Sequence, residues 1–164
     1  MTRINANIDP IDLCDQHLLA EYREMVRIPN FVLGGVIQLN DKLIYGIKKQ
    51  PKINFETIPD KFKLGPGHVK FFYTKIRFLH YRFLKIKLEL NRRKIKNNIT
   101  DSSFNEVYKR HPHLYQDVNL DYANKIVMER ILERIKTMKK FTFHGNPVDK
   151  TVYETVMKNK YANS

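Results

Sequence analysis

The stretch GHVKFFYTKIRFLHYRFLKIKLELNRRKIK, from Gly67 to Lys96, constrains the fold more than any other part of this chain. Val69, Phe72, Tyr73, Ile76, Leu79, Phe83, Ile86 and Leu90 recur at helical spacing over about 25 residues. Basic side chains fall mainly off that stripe, at Lys70, Lys75, Arg77, Arg82, Lys85 and Lys87. The pattern predicts one long core helix with a basic outer face, ended by Asn97-Asn98. His68 and His80 lie on it and read as packing or hydrogen-bonded histidines.

Two further helices are predicted. Asp9-Pro10 has the form of a helix start, an N-cap followed by proline at the first helical position. Beyond it Leu13, His17, Ala20 and Glu24 share one face, with Leu18, Leu19, Tyr22 and Met25 as an apolar stripe beside it. Arg23 and Arg27, four apart, project together with Glu24 between them, and Pro29 is expected to stop the helix. The other helix begins near Asp121. Ile126, Val127, Ile131, Ile135 and Met138 face its core side, while Arg130 and Arg134 share another face. Residues 30–66 carry the breakers Gly34-Gly35, Asn40-Asp41, Pro51, Pro59 and Gly65-Pro66. They read as loops with one or two helical turns, with a short hairpin over Val36–Leu43 as the alternative. A short helix over 102–110 precedes the His111-Pro112-His113 turn, and Asp149 caps a last helix through Met157. The fold class expected is all-α, a single compact domain of three main helices with long loops and a C-terminal extension. Residues 1–146 form the domain and residues 147–164 the extension.

The chain has 164 residues and a hydrophobic fraction of 42%, enough for one core, much of it supplied by 10 Phe and 9 Tyr. Its 30 Lys+Arg against 17 Asp+Glu give a formal charge of +13, which argues for a polyanionic partner. Cys14 is the one cysteine, so no intrachain disulfide forms and a reducing, intracellular setting fits. It is expected to be a small buried side chain. Asp9, Asp12 and Asp15 near the N-terminus do not suit a secretory signal, and no run of roughly 18 apolar residues suggests a membrane span. His111-x-His113 is half of a metal site that no neighbouring carboxylate or cysteine completes, so no metal is expected. Gly65-x-Gly67 lacks the Gly-Lys-Ser/Thr of a phosphate loop.

Chemistry concentrates in the first 27 residues. Methionine ahead of a small residue is commonly trimmed, which exposes the α-amine of Thr2. Such an amine has a reference pKa near 7.7–8.0, and the neighbouring arginines disfavour its charged form. A free amine beside a carboxylate, Glu24, and the arginines Arg3, Arg23 and Arg27 has the makings of a covalent catalyst for a carbonyl-like carbon on a phosphate-bearing substrate; the alternative reading of the same residues is an ordinary disordered N-terminus followed by an amphipathic helix.

These residues resemble a family. Met1-Thr2-Arg3-Ile4-Asn5, Asp15-Gln16-His17-Leu18, Ala20-Glu21-Tyr22-Arg23-Glu24 and Arg27 form one matching block; Leu64-Gly65, Gly67-His68-Val69, Phe71-Phe72-Tyr73 and Lys75 form a second. Together they are similar to the phage-type pyrimidine-dimer DNA glycosylases of the endonuclease V type, from residue 1 to about 146. The resemblance implies a DNA-repair glycosylase with coupled AP lyase activity on pyrimidine dimers in duplex DNA. It implies that the Thr2 amine attacks C1′ of the damaged nucleotide, expels the base and leaves an imine with the sugar. Glu24 corresponds to the family's essential glutamate. Arg3, Arg23 and Arg27 match arginines on the phosphates, and Gln16 and His17 match polar residues beside the site. Arg130 and Arg134 match a basic pair on the DNA backbone. Phe141 and Phe143 stand where the family's prototype has lesion-contacting aromatics, although tryptophan is absent and Thr142 replaces an expected lysine. No cofactor is implied. The expected partners are dimer-containing and non-specific duplex DNA, with no membrane, and the enzyme is expected to be a monomer. The alternatives are a same-fold glycosylase for another damaged or modified base, a non-catalytic DNA-binding protein, and an RNA-binding protein.

Overall fold

A computed structural model of the chain describes residues 4–49 and 51–163. The described residues group into two compact units interleaved along the sequence, one of residues 23–84 and 98–118, the other of residues 4–22, 85–97 and 119–163.

In the first unit, the end of helix α1 (Asp15–Met25) leads into α2 (Arg27–Val32). Pro29 does not end α2; it sits in its first turn, where a missing N–H costs nothing. Its effect falls one turn earlier. Without that N–H the helical bond to the Met25 carbonyl cannot form, so α1 stops at Met25 and α2 restarts after Val26. The next segment is a hairpin, β1 (Val36–Leu39) and β2 (Lys42–Tyr45), paired Val36↔Tyr45 and Leu39↔Lys42. Asn40 and Asp41 both take positive φ, 47° and 61°. That is the geometry of the two-residue turn whose twist matches the strands.

The long periodic stretch breaks once. Helix α3 (His68–Phe71) passes into a 3-10 turn, Phe72–Thr74, and Lys75 leaves the helical region at φ −119°. Phe71 and Phe72 are both buried, their rings meeting edge to face at 5.2 Å with Phe62 and His68 packed against them. The tightened turn accommodates this aromatic cluster. Helix α4 (Ile76–Arg92) then carries the apolar stripe as read, with Ile76, Leu79, Phe83, Ile86 and Leu90 fully buried. It ends at Arg92 rather than at Asn97. Lys94 turns left-handed, and its N–H and that of Ile95 bond back to the Asn91 and Leu90 carbonyls. Arg82 is not on an outer basic face but buried. His80 donates or accepts at both ring nitrogens, to Tyr115 Oη at 2.7 Å and Asp101 at 2.8 Å, and stacks on Phe104 of α5 (Ser102–Arg110).

The second unit contains a 3-10 turn, Pro10–Asp12, capped by Asp9, so the helix expected at Asp9 begins instead at Asp15. It continues with the end of α4 and α6 (Asn124–Thr137). A small antiparallel hairpin follows, β3 (Thr142–Phe143) and β4 (Asn146–Pro147), and then α7 (Lys150–Tyr161). The Asp149 carboxylate caps α7 by accepting the Thr151 and Val152 amides, and α7 packs on α6. Tyr153, Met157 and Tyr161 of α7 are buried. Tyr153 Oη donates to the Asp12 carbonyl, Tyr161 Oη bonds the Asp12 carboxylate and accepts the Asp9 amide, and Lys160 pairs with Asp12 at 2.6 Å. The all-α expectation of three main helices with long loops is therefore corrected. Helices α2, α3, α5 and α7 join α1, α4 and α6, and two antiparallel hairpins occupy segments read mainly as loops. Asn-Asp and His-Gly turns with positive φ are what make the hairpins. No helix among the described residues is long and apolar enough to cross a membrane.

Arg93 ties this second unit together. Its side chain is 1% exposed, and all five N–H donors are used. They reach Glu89 (2.7 Å), Asp15 (2.9 Å) and the carbonyls of Leu13, Ile11 and Pro10 (2.7, 3.0 and 3.1 Å). Asp15 also accepts from Thr142 Oγ1 and the Gly145 amide. Burial works against its charge, but these bonds and Arg93 hold its pKa below the ordinary carboxylate range. Glu89 behaves likewise: burial opposes its charge, and Arg92 and Arg93 outweigh it. We expect Arg93→Met to lose about 3–5 kcal/mol of stability, the cost of leaving buried carboxylates without their partner, measured by denaturant unfolding. Both carboxylates are depressed in the folded state, so their contribution is complete above about pH 5. It is lost as pH falls through their folded values below about 4. The wild-type melting temperature should drop across that window, and the drop should be shallower in Arg93→Met.

Candidate active site

Thr2 and Arg3 lie outside the described residues. What the structure describes is the anchor directly after them. Ile4 is fully buried and Asn5 nearly so. The Asn5 amide donates to Glu21 Oε1 at 3.1 Å, and the Asn5 side-chain nitrogen to Glu21 Oε2 at 2.6 Å. From α6, the Arg130 guanidinium donates to the Ile4 carbonyl and to Asn5 Oδ1, both at 2.9 Å. A buried carboxylate and a half-buried guanidinium thus hold the backbone of two residues from both sides. Glu21 sits on the apolar stripe of α1, three residues from Leu18 and four from Met25. That position, a carboxylate on a core face, was the signal available in the sequence.

Glu24 lies one turn further along α1. It is half-buried, with Arg23 and Arg27 exposed on either side in sequence. Among the described residues no side chain makes a hydrogen bond or ion pair with the Glu24 carboxylate. The two arginines do not share one uninterrupted helix: Arg23 closes α1 and Arg27 opens α2. Four residues past Arg27, Phe31 is exposed and stacks on Tyr73 at 5.3 Å. The first unit therefore presents a carboxylate, two cationic side chains and an aromatic pair within residues 23–84.

The other sequence-derived residues lie in the second unit. Gln16 and Thr142 exchange two hydrogen bonds, side chain to side chain at 2.9 Å and Thr142 amide to Gln16 Oε1 at 3.1 Å. Gln16 thereby ties the β3–β4 hairpin to α1. His17 is half-buried beside it. Arg134, one turn after Arg130, is half-buried. Phe141 is buried against Tyr153 of α7 at 5.1 Å. Phe143 meets Tyr153 at 5.6 Å, and Arg93 lies over its ring at 5.4 Å. Cys14 is fully buried, and burial pushes its thiol up to about 11, which makes it a poor nucleophile. Among the described residues no three His, Cys, Asp or Glu side chains gather as a metal set.

A family model for pyrimidine dimer DNA glycosylase matches residues 1–103 of the chain. The match takes in Thr2, Arg3, Gln16, His17, Arg23, Glu24 and Arg27. Arg130, Arg134, Phe141 and Phe143 lie beyond it.

The clamp on Ile4 and Asn5 has a measurable consequence. Glu21→Ala leaves the buried Asn5 amide without its acceptor, a loss of about 1–3 kcal/mol. We expect the Asn5 amide to exchange with solvent markedly faster in that variant, while amides in α7 keep their protection, as read by hydrogen-exchange NMR.

Proposed function

The chain belongs to the pyrimidine dimer DNA glycosylase family, and on that premise we propose that it works through the α-amine of Thr2, with Glu24 as its acid–base partner. It is a DNA-repair glycosylase that acts on DNA. Beyond that, we infer pyrimidine dimers in duplex DNA as the substrate and strand cleavage by a coupled AP lyase step. The observation that carries the mechanism is the Glu24 carboxylate, half-buried between exposed arginines and engaged by no other described side chain.

The chemistry balances as follows. The amine lone pair attacks C1′, and the glycosidic C–N electrons leave with the base, which takes up a proton. The sugar ring opens to an imine between Thr2 and C1′. Removal of a C2′ proton then expels the 3′ phosphate by β-elimination. Glu24 stabilises the cationic sugar and accepts or relays the proton. Arg23 and Arg27, with Arg3, hold the flanking phosphates and favour the neutral form of the amine. Dimers are stacked in the duplex, so a nucleotide has to be drawn out at a cost of about a few kcal/mol. Phe31 and Tyr73 offer an aromatic face to such a base. In the second unit, Gln16, His17 and Phe143 are proposed DNA contacts and Arg134 takes a backbone phosphate, while the expected contact Phe141 is buried. The protein acts as a monomer, inside the compartment that holds the DNA.

The clamp gives Arg130 a second task. A two-residue tether reaches at most about 7 Å, so fixing Ile4 and Asn5 limits where the Thr2 amine can travel. We infer that Arg130 positions the nucleophile in addition to any phosphate contact.

Borohydride treatment on a dimer-containing duplex should trap a covalent adduct at the mature N-terminus. An adduct on a lysine, or none from an active preparation, would overturn the amine mechanism. Glu24→Gln should bind DNA normally but lose base release and nicking by about 100-fold or more; nicking at the wild-type rate would make Glu24 structural. Arg134→Ala should flatten the slope of log K against log salt by about one unit and leave saturated turnover intact. Arg130→Ala should instead lower the single-turnover rate by about 10- to 100-fold, the effect of a displaced reactive group. Equal behaviour of the two variants would remove the positioning role.

A further inference from the structure

The β1–β2 hairpin exposes more apolar surface than a free surface ribbon requires. Its register, Ile37↔Ile44 and Leu39↔Lys42, puts these four side chains on one face. Ile37 is 43% exposed, Leu39 55% and Ile44 41%. The opposite face ends in Tyr45, whose ring lies under the Arg110 guanidinium at 5.8 Å. The root is held by backbone bonds, Gly46 N–H to Gly35 O and Lys48 N–H to Gly34 O, both 2.9 Å. The ribbon is thus tethered at its base, with one apolar side chain, Leu43, exposed on one face and three on the other. Charge surrounds that face. Lys42 belongs to it, and Lys48, Lys49 and Lys52 follow, all exposed, while Asp41 at the turn is the one carboxylate between residues 36 and 52.

We propose that this hairpin enters the major groove of duplex DNA, with Ile37, Leu39 and Ile44 against thymine methyl groups and the lysines on flanking phosphates. A two-stranded ribbon fits a groove about 12 Å wide without deforming the duplex, whereas strands in the minor groove go with a bent and widened groove. The thymine C5 methyl is the apolar feature on the floor of the wider groove. Lysines beside an apolar strip match the alternation of phosphate rim and base edge. The inference rests on the family's DNA partner and is independent of the amine mechanism.

Leu39→Cys provides the test, because the native thiol at Cys14 is buried and does not compete. The variant is mixed with duplexes carrying an activated disulfide tether either on a pyrimidine in the major groove or on guanine N2 in the minor groove. We expect cross-linking about tenfold or more in favour of the major-groove tether. In parallel, wild-type protein should bind a thymine-rich undamaged duplex about fourfold more tightly per contacted methyl than its deoxyuridine counterpart. The double variant Ile37→Ser, Leu39→Ser should lose that preference. Equal or absent cross-linking, or no thymine preference in the wild type, overturns the proposal. So does a concentration-dependent dimer, seen by sedimentation, that the double variant abolishes, since the face would then belong to a second copy. Borohydride trapping is run on every variant. An N-terminal adduct that persists where cross-linking fails separates loss of this inference from loss of the catalytic reading.

Discussion

A single buried guanidinium organises the second unit. Arg93 reaches three carbonyls of the 10–13 segment and the carboxylates of Asp15 and Glu89. Asp15, held in place by Arg93, is free to accept from Thr142 and Gly145, so the β3–β4 hairpin is secured through the same node. The 10–13 segment in turn supplies the Asp12 groups on which α7 docks. Buried charge is costly unless every donor is matched, and here each N–H has its acceptor. The carboxylates that pay for the guanidinium's burial are the ones whose pKa it depresses.

That node was invisible in the sequence. Arg93 stands in an Asn-Arg-Arg-Lys run, and composition cannot separate one buried arginine from exposed neighbours. Arg82 was misplaced for the same reason. Periodicity did show the apolar stripe from Phe72 to Leu90, since burial on one helical face is a local property. It missed the break at Lys75, where two consecutive rings, Phe71 and Phe72, both pack against Phe62, an arrangement that a single apolar stripe does not encode. Pro29 was seen as a breaker, but its action falls on the bond it cannot make, a turn upstream. The hairpin at Asn40-Asp41 was legible as an alternative, and its positive-φ turn decided in its favour.

The candidate site was partly legible. Arg23, Glu24 and Arg27 are close in sequence, on either side of the junction at Val26. The partner of Gln16, Thr142, is 126 residues away, and the partner of Asn5, Arg130, is 125 residues away. No spacing rule joins such pairs. Ile4 and Asn5 are therefore held in part by a residue that only the folded chain identifies.

The long reach of the Asn5–Arg130 contact also sets a schedule. At about 5–20 residues per second, synthesis leaves Asn5 without the Arg130 half of its clamp for several seconds or more after it is made. Until α6 has emerged, Ile4 and Asn5 lack the Arg130 side of that clamp. The trimming of Met1 proposed above would fall within that interval. The two halves of the clamp, Glu21 and Arg130, are separated in time by the order in which the sequence is written.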